Sequence, residues 1–100
     1  MFPWRSGPSW PASAPTPDRP RVLALYKYDA CPYCARVQRA LERLPVEVER
    51  RDVRQSPEWR KDLVARAGGT QVPCLLIDDY PLLESADIVA WLEAYAARAK

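Results

Sequence analysis

Val22-Leu23-Ala24-Leu25-Tyr26-Lys27-Tyr28-Asp29-Ala30-Cys31-Pro32-Tyr33-Cys34 is the stretch that decides the fold. Its unbroken apolar start suits a central strand buried on both faces, read here from Val22 to Tyr28. Asp29-Ala30 then leads into a helix whose apolar positions, Cys34, Val37, Leu41 and Leu44, follow helical spacing and put Cys34 on the inner face. Pro45 ends that helix. Two thiols three positions apart at a helix start can close a short disulfide, and the amide dipoles there favour the thiolate over the thiol. Pro32 takes the first helical position at no cost in hydrogen bonds. Cys31 is therefore expected to be the exposed attacker and Cys34 the shielded resolving thiol.

Working outward, Val46, Val48 and Val53 with Arg50 and Arg51 between them read as a second, more exposed strand. Ser56-Pro57-Glu58 is a helix start with Ser56 as N-cap, and the short helix through Trp59, Leu63 and Ala67 stops at Gly68-Gly69. Pro73 to Asp78 forms a third strand, Asp78-Asp79 a tight turn, and Tyr80 to Leu83 a short fourth strand. Glu84-Ser85 opens the last helix, whose stripe Ile88, Trp91, Leu92 and Tyr95 packs on the sheet. The order β-α-β-α-β-β-α implies an α/β fold, a four-stranded mixed sheet flanked by three helices, in the thioredoxin-like arrangement. A CxxC between the first strand and the first helix turns a common spacing into a redox assignment.

The whole chain bounds what else is possible. One hundred residues make one small domain. A net charge of +2 is too slight and scattered for a nucleic-acid footprint. The sequence has no histidine, which removes imidazole as a general base and His-ligated zinc. A four-thiolate zinc site needs a second CxxC, so no metal is expected. The odd count of three cysteines, two of them in CxxC spacing, fits a reduced, cytoplasmic protein better than a disulfide scaffold. No apolar run approaches the roughly 20 residues of a membrane span. Six of the eleven prolines fall between Pro3 and Pro20. Residues 1–20 are accordingly expected to be a loose, disordered leader, with Trp4 and Trp10 as its large apolar groups, ahead of a domain at 21–100. A monomer is expected.

Two further elements bear on chemistry. At Thr70-Gln71-Val72-Pro73, a cis proline opposite the CxxC leaves the preceding backbone free to pair with a bound peptide, and a trans proline limiting a strand is the competing reading. Cys74 reads as a small core hydrophobe, with a third redox partner as the alternative. Glu84-Ser85-Ala86-Asp87-Ile88 reads as a helix cap. Its hydroxyl, amides and carboxylate also match the α-amino acid end of glutathione.

Cys31-Pro32-Tyr33-Cys34, Gln71-Val72-Pro73 and Glu84-Ser85-Ala86-Asp87-Ile88, in this order and spacing, resemble glutaredoxins, especially those similar to the N-terminal domain of glutathione transferases. The resemblance covers about residues 21–100. It implies a glutathione-dependent thiol–disulfide oxidoreductase in which Cys31 forms the mixed disulfide with glutathione, the co-substrate, and Cys34 closes the redox-active disulfide. Tyr33 would flank the tripeptide, Val72 would pair its backbone with the cysteinyl part, Pro73 would be cis, and Glu84 with Ser85 would hold the γ-glutamyl end, with Gln71 also at the site. Many glutaredoxins carry a lysine three residues before the nucleophile. Tyr28 stands there in this chain and Lys27 lies one earlier, assigned by the same resemblance to glutathione binding. Partners would be glutathione and disulfide-containing or glutathionylated proteins, with no nucleic acid and no membrane. The chain ends at the third helix, so the helical second domain of a transferase is not expected. The alternative is a thioredoxin-fold module that binds glutathione or an iron–sulfur cluster without turnover.

Overall fold

The computed structural model describes residues 10–98; residues 1–9, Trp4 among them, lie outside the described part. The elements are β1 (Leu23–Lys27), α1 (Pro32–Arg43), β2 (Glu49–Asp52), α2 (Pro57–Ala67), β3 (Cys74–Ile77), β4 (Tyr80–Leu82) and α3 (Ser85–Arg98). The strands form one sheet in the order β2-β1-β3-β4, with β1 parallel to β2 and antiparallel to β3, and β3 antiparallel to β4. The expected thioredoxin-like mixed sheet with three helices is therefore present.

Side chains alternate across β1 and β3 and so supply two cores. Leu25, Leu75 and Ile77 point to the layer of α1 and α3, where Val37, Leu41, Ile88, Trp91 and Leu92 close over them. Ala24, Tyr26, Cys74 and Leu76 point the other way and meet Leu63 of α2, with Trp59 and Ala67 at the margin. β3 is apolar throughout, and β1 is apolar up to its last residue, Lys27, because both faces are covered. β2, at the sheet edge, reads Glu-Arg-Arg-Asp instead, and a charged edge resists pairing with another chain.

The boundaries differ from the sequence reading in specific ways. β2 begins at Glu49 rather than Val46, since Ala24 is the first β1 residue with a β2 partner and that partner is Glu49. Val48 is nonetheless buried and packs on the α1/α3 core, so it behaves as core without belonging to the ladder. Leu44 caps α1 in an extended conformation and lies outside the helix. Ser56 is the N-cap of α2 by position, yet its hydroxyl bonds the Glu58 carboxylate at 2.9 Å instead of a backbone amide. Gly68 ends α2 with φ 81°, the left-handed conformation that favours glycine. At the β3–β4 turn Asp78 has φ 54°, and its carboxylate accepts the amides of Arg21 and Val22 at 2.7 and 3.0 Å.

For residues 10–20 the structure gives a path along the body where the sequence reading expected a loose leader. Trp10 packs against the α1/α3 core. The buried Trp91 indole N–H donates to the Pro15 carbonyl at 2.8 Å, and Ser13 Oγ lies 3.0 Å from the Tyr80 hydroxyl. A buried indole needs an acceptor and an exposed Trp side chain gains by covering apolar surface. Both wants are met by the same segment.

Candidate active site

Cys31 is the N-cap of α1, with φ −78° and ψ 121°. Its sulfur accepts the Cys34 backbone N–H at 3.3 Å, and its carbonyl accepts the Ala35 N–H at 3.0 Å. The Cys31 position is thus built from capping chemistry: the sulfur sits where the first-turn amides have no helical partner, at the N-terminal end of the helix dipole. The expectation that Cys31 is exposed is corrected. It is 5 % exposed, because its side chain folds back over the first turn toward the Cys34 amide. Cys34 is wholly buried, so the order of access to the two thiols is as expected. Burial, reinforced by the neighbouring Cys31 sulfur, pushes the Cys34 thiol up to about 12. Cys74 is also fully buried and is pushed up to about 12 by burial alone. It lies in the α2-side core with Tyr26 and Leu76, in keeping with a small core hydrophobe.

A groove of about 360 Å³ is lined by Tyr33, which stands between the two cysteines in the chain, and by Gln71, Val72, Pro73, Leu83, Glu84 and Ser85. Three distant segments meet here: the first turn of α1, the approach to β3, and the entry to α3. The Val72–Pro73 peptide bond is cis. Val72 precedes the ladder, which starts at Cys74, and its N–H and C=O make no backbone hydrogen bond among the described residues. Glu84 supplies the carbonyl that accepts the Ile88 N–H at 2.8 Å, so the α3 amides ahead of Ile88 have no partner within the helix. Tyr33 is 64 % exposed and forms the rim on the α1 side. Gln71 reaches across to the Leu83 carbonyl at 3.5 Å.

Six of the residues read from the sequence are therefore brought together around one groove, and Leu83 joins them. Leu83 carried no signal in the sequence, where it reads as the end of a strand. Lys27 is placed differently. It is buried, its ammonium donates to Asp29 at 2.8 Å and Asp52 at 3.3 Å, and it is not among the groove residues. Its partners were hidden because Asp52 comes beside Lys27 only through the β1–β2 register.

The family model for glutaredoxins matches residues 23–81, more than half of the chain and including both cysteines and the cis-proline segment. The chain belongs to the glutaredoxin family. Among solved structures, this glutaredoxin domain is similar to a glutaredoxin from Brucella melitensis, with 25 % identity, a TM-score of 0.57, and coverage of 83 % of this chain and 90 % of that one. Oxidized glutaredoxin 2 from Chlamydomonas reinhardtii shares the fold at 21 % identity and a TM-score of 0.53, covering 77 % of this chain and 72 % of that one. No curated protein matches the sequence. A thiol–disulfide oxidoreductase type of activity goes with this family and fold, and the family uses glutathione as reductant.

Proposed function

We propose that this chain is a glutathione-dependent thiol–disulfide oxidoreductase that reduces protein disulfides or glutathione mixed disulfides through Cys31 and Cys34. The observation that carries the reading is the convergence of Tyr33, Gln71, Val72, Pro73, Glu84 and Ser85 on one groove beside the Cys31 helix cap. At about 360 Å³ the groove is of the size that takes a small ligand. In this reading the Val72 backbone pairs with the cysteinyl part of glutathione. Glu84, with Ser85 and the α3 amides, takes the ammonium and carboxylate of the γ-glutamyl end, and Tyr33 bounds the tripeptide on the α1 side.

The chemistry is two exchanges in sequence. The Cys31 thiolate attacks a disulfide or glutathionylated cysteine, forming a mixed disulfide and releasing one thiolate. Either Cys34 or a second glutathione then attacks that mixed disulfide, and glutathione returns the protein to its dithiol form. Glutathione is the co-substrate and no metal takes part. On the sequence argument the protein works as a monomer in the reducing cytoplasm.

The test is reduction of a small glutathione mixed disulfide by the full chain with glutathione as electron source. Cys31→Ser is expected to lose at least about a thousandfold in rate, as removal of a nucleophile does. Cys34→Ser keeps most of the activity on glutathionylated substrates and loses it on protein disulfides. Equal rates for wild type and Cys31→Ser overturn the reading.

A further inference from the structure

Residues 10–20 lie across the α3 and β4 side of the domain without joining its sheet or its helices. Their own backbone hydrogen bonds are local, from the Ala14 N–H to the Pro11 carbonyl at 3.0 Å and from the Asp18 N–H to the Thr16 carbonyl at 2.7 Å. The body holds them by side-chain donors that reach main-chain carbonyls. The Trp91 indole N–H donates to Pro15 at 2.8 Å, and the Arg98 guanidinium donates to Pro17 at 3.5 Å. Ala14 and Pro17 are buried, whereas Thr16, Asp18 and Arg19 are exposed.

Both of these acceptors belong to prolines. Proline has no N–H, so at each proline the carbonyl is the sole backbone bonding group, and the fixed ring leaves little backbone freedom to lose on docking. Opposite them the body presents donors beside an aromatic pair. Trp91 and Tyr95 stack with ring centroids 5.5 Å apart, and the Tyr80 hydroxyl lies 3.0 Å from Ser13 Oγ. An aromatic face with an indole donor is the chemistry that suits proline-rich peptides bound from solution. The occupant here is supplied by the same chain, and its base is pinned where the Asp78 carboxylate accepts the Arg21 and Val22 amides. The fit is incomplete: a cleft of about 240 Å³, lined by Pro17, Asp18, Arg19, Tyr95 and Arg98, remains between the segment and the end of α3.

We propose that this α3–β4 face is a docking site for proline-rich segments of other proteins, and that residues 10–20 occupy it as a tethered competitor. The body reads carbonyls and proline rings, which any Pro-x-Pro stretch supplies, and the exposed Thr16, Asp18 and Arg19 are free to differ in a partner. Tethering gives the chain's own segment an effective concentration on the order of millimolar, so a partner takes the face when it is held nearby at a comparable level. The face also leaves the groove open. Ser85 opens α3 at the groove and Arg98 closes it, about 20 Å away for a helix of 14 residues. The proposal is independent of the dithiol reading.

The probe is a synthetic peptide of residues 10–20, titrated into the isotopically labelled full chain. The Trp91 indole N–H resonance, assigned by its loss in Trp91→Phe, is followed. Trp10→Ala combined with Ser13→Ala removes two anchors of the tethered segment and leaves the face intact, and the amide spectrum reports that the variant is folded. In this variant the peptide is expected to shift the indole resonance saturably, at least about tenfold more tightly than in the wild type, where the tethered copy competes. The wild type is expected to reach the same shift at peptide concentrations on the order of millimolar, and it carries the test if the variant does not fold. A peptide with Pro15→Ala and Pro17→Ala is expected to bind about tenfold more weakly, since its backbone has more freedom to lose. An indole resonance unmoved in both proteins, or equal binding of the two peptides, overturns the proposal. A resonance that moves with protein concentration alone, before peptide is added, assigns the face to a second copy of the chain and overturns it as well. No thiol exchange enters the readout, so a failure of the dithiol reading is scored separately.

Discussion

Tyr26 and Lys27 are neighbours in β1, each with a charged partner beside it on β2, yet they face opposite layers and their surroundings differ. Tyr26 pairs in register with Arg51, and Lys27 with Asp52. On the α2 face the Tyr26 hydroxyl donates to Asp62, and Arg51 donates to Tyr26 at 2.8 Å and to Asp62 at 3.3 Å. The Arg51 guanidinium also lies 4.5 Å from the Trp59 ring centroid and bonds both oxygens of Glu49 at 3.1 Å. Arg66 adds a further pairing to Asp62 at 3.3 Å, and the cluster ties α2 to the sheet. Burial and the Asp62 carboxylate hold the Tyr26 hydroxyl above its ordinary range, so it remains a donor. On the α1 face Lys27 is held by two carboxylates, Asp29 at 2.8 Å and Asp52 at 3.3 Å. The Arg51 cation is packed on an aromatic ring between α2 and the sheet, whereas the Lys27 pair joins the ends of β1 and β2.

This contrast is broken if substitutions on the two sides fail to separate activity from stability. The largest effect is expected at the groove. Glu84→Ala combined with Ser85→Ala removes the charged and hydroxyl ligands proposed for glutathione, and kcat/KM for glutathione falls about 30-fold, or about 2 kcal/mol, with little change in melting temperature. An unchanged kcat/KM places recognition elsewhere.

Next in size is the α2-face cluster. Asp62→Asn weakens the acceptor shared by Tyr26 and Arg51, and stability falls by about 1–2 kcal/mol, on the order of 5–10 °C in melting temperature, with activity retained. The same variant sharpens the electrostatic reading. The Tyr26 hydrogen bond, ahead of the Arg66 and Arg51 charges, lowers the Asp62 carboxyl from its ordinary 3.8. Its contribution is therefore fully present above about that pH and lost as pH falls through the lower folded value. Urea unfolding across the acid range is expected to show a shallower decline for Asp62→Asn than for wild type. A parallel decline removes Asp62 from the account.

The smallest effect is at the end of α2. At Gly68 an added Cβ meets no atom within 4 Å, so the cost of Gly68→Ala is the left-handed backbone alone, about 1 kcal/mol. Calorimetry showing no loss would mean that the α2 terminus readjusts freely.

Much of this was legible in residue order. The apolar run into Cys31, Pro32 at the first helical position and the stop at Gly68 are local signals, set by backbone geometry within a few residues. The groove residues were legible because three short motifs kept a definite order, although their meeting is a tertiary event. The edge strand was misjudged at its start because alternating valines mark burial, whereas a ladder needs a partner. Val48 has the first and lacks the second.

The sequence by itself determined the element order, the pair of thiols at a helix start and their unequal access, since these follow from periodicity, capping and proline. Tertiary structure alone decided three things. Folding the Cys31 sulfur over its own helix turn removed the exposure that helix phase suggested. The β1–β2 register brought Asp52 to Lys27 and withdrew that lysine from the groove. The Pro15 carbonyl met the Trp91 indole because a buried donor takes an acceptor that is near in space, 76 residues away along the chain.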